Sequence, residues 1–253
     1  MEDYKGNRLP MIGDMAPAFH AVTTQGEINF PNDYSGKWVV LFSYQADFTP
    51  VCTTELMTFA SMIKEFKELD TELIGLSIDS VYSHIAWLRK IRELSWKDIK
   101  HVDITFPLIA DITRETAEKY AMLLNVNSVK QMFRAVFIID PEGKIRATLC
   151  YPTTIGRNIQ EIKRIVMAVQ KADWEKAATP ADWIPGEDVM LPPPGTYGAA
   201  TDRMEKVNEN MYCLDWFLSF KQSNEISETQ ENEPEANPFP SAYPTRRRSN
   251  NRR

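Results

Sequence analysis

Short β-rich apolar runs alternate with segments of helical spacing between residues 37 and 171, and this alternation restricts the fold more than anything else in the chain. Residues 37–44 (KWVVLFSY), 71–79 (TELIGLSID), 106–110 and 133–140 (FRAVFIID) are too short for buried helices and are predicted as strands. The turn Pro141-Glu142-Gly143-Lys144 leads into 145–151, so the last two strands should pair as a hairpin. Within 50–69 the apolar residues Leu56, Phe59, Ile63 and Phe66 fall at helical spacing, and 83–94, 114–123 and 158–171 behave alike. A βαβα series followed by a hairpin and a last helix predicts an α/β sheet covered by helices.

The character changes after Lys171. Trp174, Trp183, Pro185 and Leu191-Pro192-Pro193-Pro194-Gly195 make an extended, Pro-rich arm that ends in the aromatic residues Tyr212, Trp216, Phe217 and Phe220. Such a segment cannot bury its aromatics alone and should pack on the body or on another subunit. Residues 224–253 place five glutamates before five arginines and lack apolar periodicity. Too little apolar surface remains there to offset the entropy of ordering, so the tail is expected to be disordered. Its arginines suit nucleic acid, an acidic protein or a membrane surface, or simply a solvated tail. The expected organisation is a flexible stretch 1–9, a main domain 10–172, an arm 173–223 and the tail 224–253. There are no internal repeats.

Composition excludes several classes of function. The chain has 43% apolar and 25% charged residues, within the ordinary globular range. Its longest apolar run is five residues, whereas a membrane-spanning helix needs about 20. No apolar core follows Met1-Glu2-Asp3-Tyr4-Lys5 in the manner of a signal peptide. A net charge of −6 argues against nucleic acid as the main partner. Three cysteines are too few for a secreted disulfide framework, and His20, His84 and His101 lack metal-ligand spacing. No Gly-rich nucleotide motif occurs, so no cofactor or metal is expected. From these features a soluble, cytoplasmic protein is expected.

The most informative stretch is Gln45-Ala46-Asp47-Phe48-Thr49-Pro50-Val51-Cys52-Thr53-Thr54-Glu55. Thr49 suits an N-cap and Pro50 the first helical position, which puts Cys52 in the first turn of the long helix. Unsatisfied amides and the helix dipole favour an anion there, and hence a thiolate. Spacing alone leaves a second reading open, that of a buried and inert helix cysteine. A thioredoxin-type disulfide exchanger would want a second cysteine in Cys-x-x-Cys, where Thr49 or Glu55 stands instead.

Thr49-x-x-Cys52 with Phe48 before it and Thr53-Thr54-Glu55 after it resembles the peroxiredoxin signature. Gly75-Leu76-Ser77-Ile78-Asp79, Phe106-Pro107-Leu108-Ile109-Ala110-Asp111, Arg134-Ala135-Val136-Phe137-Ile138-Ile139-Asp140-Pro141 and Gly156-Arg157-Asn158 follow in the family's order. The matches span roughly residues 10 to 220, and the arm resembles the one-cysteine-type subfamily, particularly archaeal and bacterial thioredoxin peroxidases. The resemblance implies a thioredoxin-like fold, a central mixed sheet covered by helices, with a C-terminal extension arm. It implies a thiol-dependent peroxidase acting on hydrogen peroxide and organic hydroperoxides. Cys52 would be the peroxidatic cysteine that becomes a sulfenic acid. Thr49 would hydrogen-bond thiolate and peroxide, with Arg134 and Arg157 supplying positive charge; from sequence alone both arginines read as surface ion pairs. A thioredoxin-like protein or a small thiol would be the reductant, and the assembly a homodimer, with a decamer as its larger form.

The chain departs from this pattern at two places. Gln45 stands where the family has proline, able to hydrogen-bond peroxide or to admit water, and Tyr44 stands where the subfamily has histidine. In the arm, Cys213 matches the earlier of two cysteines and Ser219 stands at the later one, which usually resolves the sulfenic acid. Cys213 is therefore the candidate resolving thiol, with external thiols as the alternative. Cys150 reads as structural, and His84 as a surface or packing residue. These departures also suit a second class of function, a peroxide sensor or holdase chaperone on the same scaffold.

Overall fold

The computed structural model describes residues 8–126, 129–205 and 210–223. The tail expected to be disordered, and the first seven residues, lie outside the described residues. The elements run β1 (Phe19–Thr23), β2 (Gly26–Phe30), β3 (Trp38–Ser43), α1 (Pro50–Ser61), α2 (Ile63–Glu68), β4 (Thr71–Ser77), α3 (Val81–Ile91), β5 (Ser95–Trp96), β6 (Ile99–Lys100) and β7 (Leu108–Ala110). They continue with α4 (Glu115–Lys119), β8 (Leu123–Val126), β9 (Val129–Met132), β10 (Arg134–Ile139), β11 (Ile145–Tyr151), α5 (Ile159–Glu175), β12 (Val189–Met190), α6 (Tyr197–Glu205), β13 (Met211–Asp215) and β14 (Leu218–Lys221).

The main sheet has the order β11-β10-β3-β4-β7-β1-β2. Strands β3, β4 and β7 run parallel and the flanking strands antiparallel, which makes it the mixed sheet expected. Alternate residues of β3 enter two cores. Val40 and Phe42 pack with Leu56 and Phe59 of α1, Trp87 of α3 and Ile162 of α5. Val39 and Leu41 pack with Phe19, Phe30, Ala117 and Tyr120 on the opposite face. Burial on both faces is why the central strands read as continuous apolar runs. Gly75 in β4 belongs to this packing, because a Cβ there would meet Leu108 Cδ2 at 2.6 Å and the Phe42 ring at 3.2 Å.

Several element boundaries differ from expectation. The helix expected over 50–69 breaks at Met62, which lies between α1 and α2 with φ −100° and ψ 7°. The helix expected over 114–123 shrinks to α4, because Ala121 turns left-handed at φ 49° and β8 pairs with β9. Strands β1 and β2 have no counterpart among the expected elements. The arm packs partly on the body, as expected: Trp183 is buried, its indole Nε1 donates to Glu187 O at 3.0 Å, and Arg164 of α5 donates to Trp183 O at 3.0 Å. A small sheet β12-β14-β13 completes it, tied to α5 by Lys221 and Glu175 at 2.9 Å. Trp174, Tyr197, Trp216 and Phe217 stay exposed. Among the described residues no helix is long and apolar enough to cross a membrane.

Candidate active site

The loop between β3 and α1 delivers Cys52 to a buried position in the first helical turn. Thr49 has the extended backbone of an N-cap (φ −98°, ψ 142°) and Pro50 occupies the first helical position, as the sequence suggests. The Thr49 hydroxyl does not cap an amide, however. It donates to Ala46 O at 2.7 Å, closing a tight turn in which Phe48 sits left-handed at φ 57°. Such a backbone is uncommon for a bulky residue and marks a loop over-determined by its surroundings.

Arg134 meets the sulfur directly, with Nη1 at 3.1 Å from Cys52 Sγ. The same nitrogen donates to Glu55 Oε2 at 2.9 Å, while Nε and Nη2 grip Thr153 O at 3.1 and 2.7 Å. Glu55, one turn beyond Cys52 on α1, is shared with Arg157. The Arg157 backbone N–H and Nε donate to Oε1 at 2.8 and 2.9 Å, and Nη2 to Oε2 at 2.6 Å. Arg157 Nη1 in turn donates to Ser43 O at 2.9 Å and Ala135 O at 3.2 Å, tying the loop after β11 to β3 and β10. All three charged side chains are buried. Two guanidinium groups share one carboxylate, so one positive charge is left over, and the donor that carries it faces Sγ. A charge-assisted hydrogen bond is therefore on offer at that point to an anionic acceptor. The structure thus brings Cys52, Arg134 and Arg157 together through Glu55, the member of the group that sequence reasoning missed. Its position three residues beyond Cys52 on the same helix was the available signal.

A second buried group holds the loop from its other side. His84, at the start of α3, is fully buried, which is the packing alternative of the two expected for it. Its Nδ1 lies 2.9 Å from Asp47 Oδ2 and its Nε2 3.1 Å from Ile109 O. The Tyr44 hydroxyl donates to Asp47 Oδ1 at 3.1 Å, and the Asp47 backbone N–H donates to Asp79 Oδ2 at 3.0 Å. Burial, and then the Asp47 charge, push the Tyr44 hydroxyl well above its ordinary pKa, so it stays a proton donor.

Gln45 is half-buried in the same loop. Cys150 lies in the edge strand β11, in a strand as expected, and its side chain is exposed. Partial desolvation raises its thiol pKa and leaves it a poor nucleophile at neutral pH. Cys213 sits in the β13–β14 hairpin opposite Ser219, with Sγ 3.2 Å from Ser219 Oγ and 3.6 Å from Arg203 O. All three thiols are free.

Most of the chain is similar to known proteins. Residues 12–148 match the model of the AhpC/TSA family, and residues 168–206 that of the C-terminal domain of 1-Cys peroxiredoxin. A peroxiredoxin of Methanosarcina mazei is 59% identical over 86% of this chain and 100% of its own length. One from Aquifex aeolicus is 47% identical, over 84% of this chain and 97% of the relative. Among solved structures, yeast mitochondrial 1-Cys peroxiredoxin aligns with a TM-score of 0.73 at 39% identity, covering 85% of this chain and 100% of that one. A cysteine mutant of the peroxiredoxin 6 of Arenicola marina aligns with a TM-score of 0.72 at 33% identity, covering 85% and 99%.

Proposed function

The chain belongs to the peroxiredoxin family, with its thioredoxin-like fold, and is a thiol-dependent peroxidase; on that premise we propose that Cys52 is the peroxidatic residue and Arg134 its electrostatic partner. The observation that carries the assignment is the 3.1 Å contact from Arg134 Nη1 to Cys52 Sγ in a helical first turn. The Cys52 thiolate attacks one oxygen of the peroxide, the O–O bond breaks, and the other oxygen leaves as hydroxide or alkoxide and takes a proton. Sulfur loses two electrons and becomes a sulfenic acid. Arg134 stabilises the sulfur anion before attack and the developing charge on the leaving oxygen during it. Arg157 acts through Glu55, which it locks from three donors. Thr49 and Gln45 line the approach, with the Thr49 hydroxyl turning from Ala46 O to the incoming peroxide. Stabilising the thiolate also weakens it as a nucleophile, so alignment of the peroxide supplies much of the rate.

Substrates are hydrogen peroxide and organic hydroperoxides, and a thiol restores the enzyme. The yeast mitochondrial relative is described with thiol resolution through glutathione and thioredoxin systems, and the same class of reductant suits this chain. Cys213 is the candidate resolving thiol, from the arm of a neighbouring subunit in a homodimer that can associate further into a decamer. Residues 10–172 form the peroxidase domain and 173–223 the dimerisation arm. A reducing, cytoplasmic setting fits a thiol that must be recycled. Trapping with dimedone after a peroxide pulse tests the central assignment. Mass spectrometry should find the adduct on the Cys52 peptide, and a dominant adduct at Cys150 or Cys213 would refute it.

A further inference from the structure

The His84–Asp47 pair lies outside the Cys52–Arg134–Glu55–Arg157 group, yet its acceptor sits in the loop that carries Thr49 and leads into Cys52. Both side chains are essentially unexposed. The ring nitrogens have different duties. Nε2 faces a backbone carbonyl, Ile109 O, so it must bear a proton and donate. Nδ1 lies 2.9 to 3.0 Å from both Asp47 oxygens, a bond that needs one proton between imidazole and carboxylate. Asp47 is thereby held by three elements at once: by His84 of α3, by the Tyr44 hydroxyl at the end of β3, and by the Asp79 carboxylate beyond β4, which accepts the Asp47 N–H. Asp79 is itself fixed by the Ser77 hydroxyl at 2.8 Å. The next residues are Phe48, left-handed, and Thr49, whose hydroxyl bonds back to Ala46 O. Tyr44 also packs its ring against Trp87 of α3, with centroids 5.6 Å apart.

We propose that His84 is a positioning residue for peroxide reduction: through Asp47 it fixes the loop that aligns Thr49 and the first turn of α1 with the incoming peroxide. A buried pair of this kind gives little stability beyond an apolar replacement, and here its bonds tie Asp47 to three elements and so hold one arrangement of the loop. Its loss therefore falls on alignment and spares the sulfur's charge, which Arg134 and the helix terminus maintain. The inference rests on the assignment of Cys52 as peroxidatic.

The test compares His84→Phe, Asp47→Ala and Asp47→Asn with the wild type. Two readouts are taken for each: the stopped-flow rate of oxidation by hydrogen peroxide, and the ultraviolet thiolate absorbance of Cys52, measured as the difference from Cys52→Ser. The side-chain amide that Asp47→Asn introduces can donate to Nδ1 and accept from Tyr44, so this variant keeps the connections with a neutral imidazole. His84→Phe and Asp47→Ala should be oxidised about tenfold to a hundredfold more slowly with the thiolate signal unchanged, and Asp47→Asn should recover most of the rate. Rates for His84→Phe and Asp47→Ala close to wild type would overturn the proposal. So would a thiolate signal that falls in step with the rate, or an Asp47→Asn as slow as Asp47→Ala. If His84→Phe fails to fold, the contrast between the two Asp47 variants decides. A wild type that oxidises elsewhere than at Cys52 fails the peroxidatic assignment instead, and dimedone trapping detects that separately.

Discussion

Arg134 performs three tasks with one planar group: it donates to Cys52 Sγ, pairs with Glu55 and is pinned by Thr153 O. Lysine at that position would keep the charge but has no fork with which to hold all three partners. Arg134→Lys should therefore fold and still slow oxidation by hydrogen peroxide by about two to three orders of magnitude, as loss of an oriented donor does elsewhere. A rate within a few-fold of wild type would mean that charge alone suffices. Glu55→Ala would leave two buried guanidinium groups without their shared carboxylate, and should lower unfolding stability by about 3–5 kcal/mol in denaturant titrations. A smaller loss would show that backbone carbonyls hold the arginines unaided. At this scale the sequence is legible only where partners are neighbours along the chain. Thr49, Pro50 and Cys52 announce a helix start by themselves. The pairing of His84 with Asp47, 37 positions apart, exists only once α3 packs on β7 next to the loop that follows β3, so an isolated histidine gives no sign of it.

The packing of elements explains what pattern reading captures and what it misses. Strands β3, β4 and β10 are buried along almost their whole length and carry short apolar stretches (WVVLF, LIGL and AVFII), whereas β1 alternates buried and exposed residues over only five positions. The helical periodicity across 50–69 continues through Met62, since both helices face the same core and a break between them leaves the apolar spacing almost unchanged. The start of β8 reads as helix because Leu123 closes an apolar series whose turn, Ala121, carries no glycine to mark it. Gly75 offers a test of this packing. An alanine methyl would press on Leu108 and the stacked Phe42 ring, both fully buried, so Gly75→Ala should destabilise the protein by about 1–3 kcal/mol. The denaturant midpoint should fall at unchanged slope, and an unshifted midpoint would indicate that the sheet opens to admit the methyl.

Over the whole molecule, the arm leaves a set of large aromatics without cover. Trp174 is 88% and Tyr197 91% exposed, and Trp216 and Phe217 extend the same segment. Apolar exposure of this kind is a feature of subunit interfaces. Sedimentation at micromolar concentration should show a dimer or larger species, and a lone 29.1 kDa particle would contradict the assembly. If Cys213 resolves across that interface, peroxide should yield a disulfide-linked dimer on a non-reducing gel, one that Cys213→Ser no longer forms.

The same scaffold would serve a peroxide sensor, and turnover separates the two roles. The decisive measurement is hydrogen peroxide consumption per subunit in excess dithiothreitol, for the wild type and for Cys52→Ser. The wild type should consume many equivalents, because external thiol returns the sulfenic acid to thiol, and Cys52→Ser should consume none above background. A wild type that stops after about one equivalent, or a Cys52→Ser variant that keeps its activity, would contradict the account.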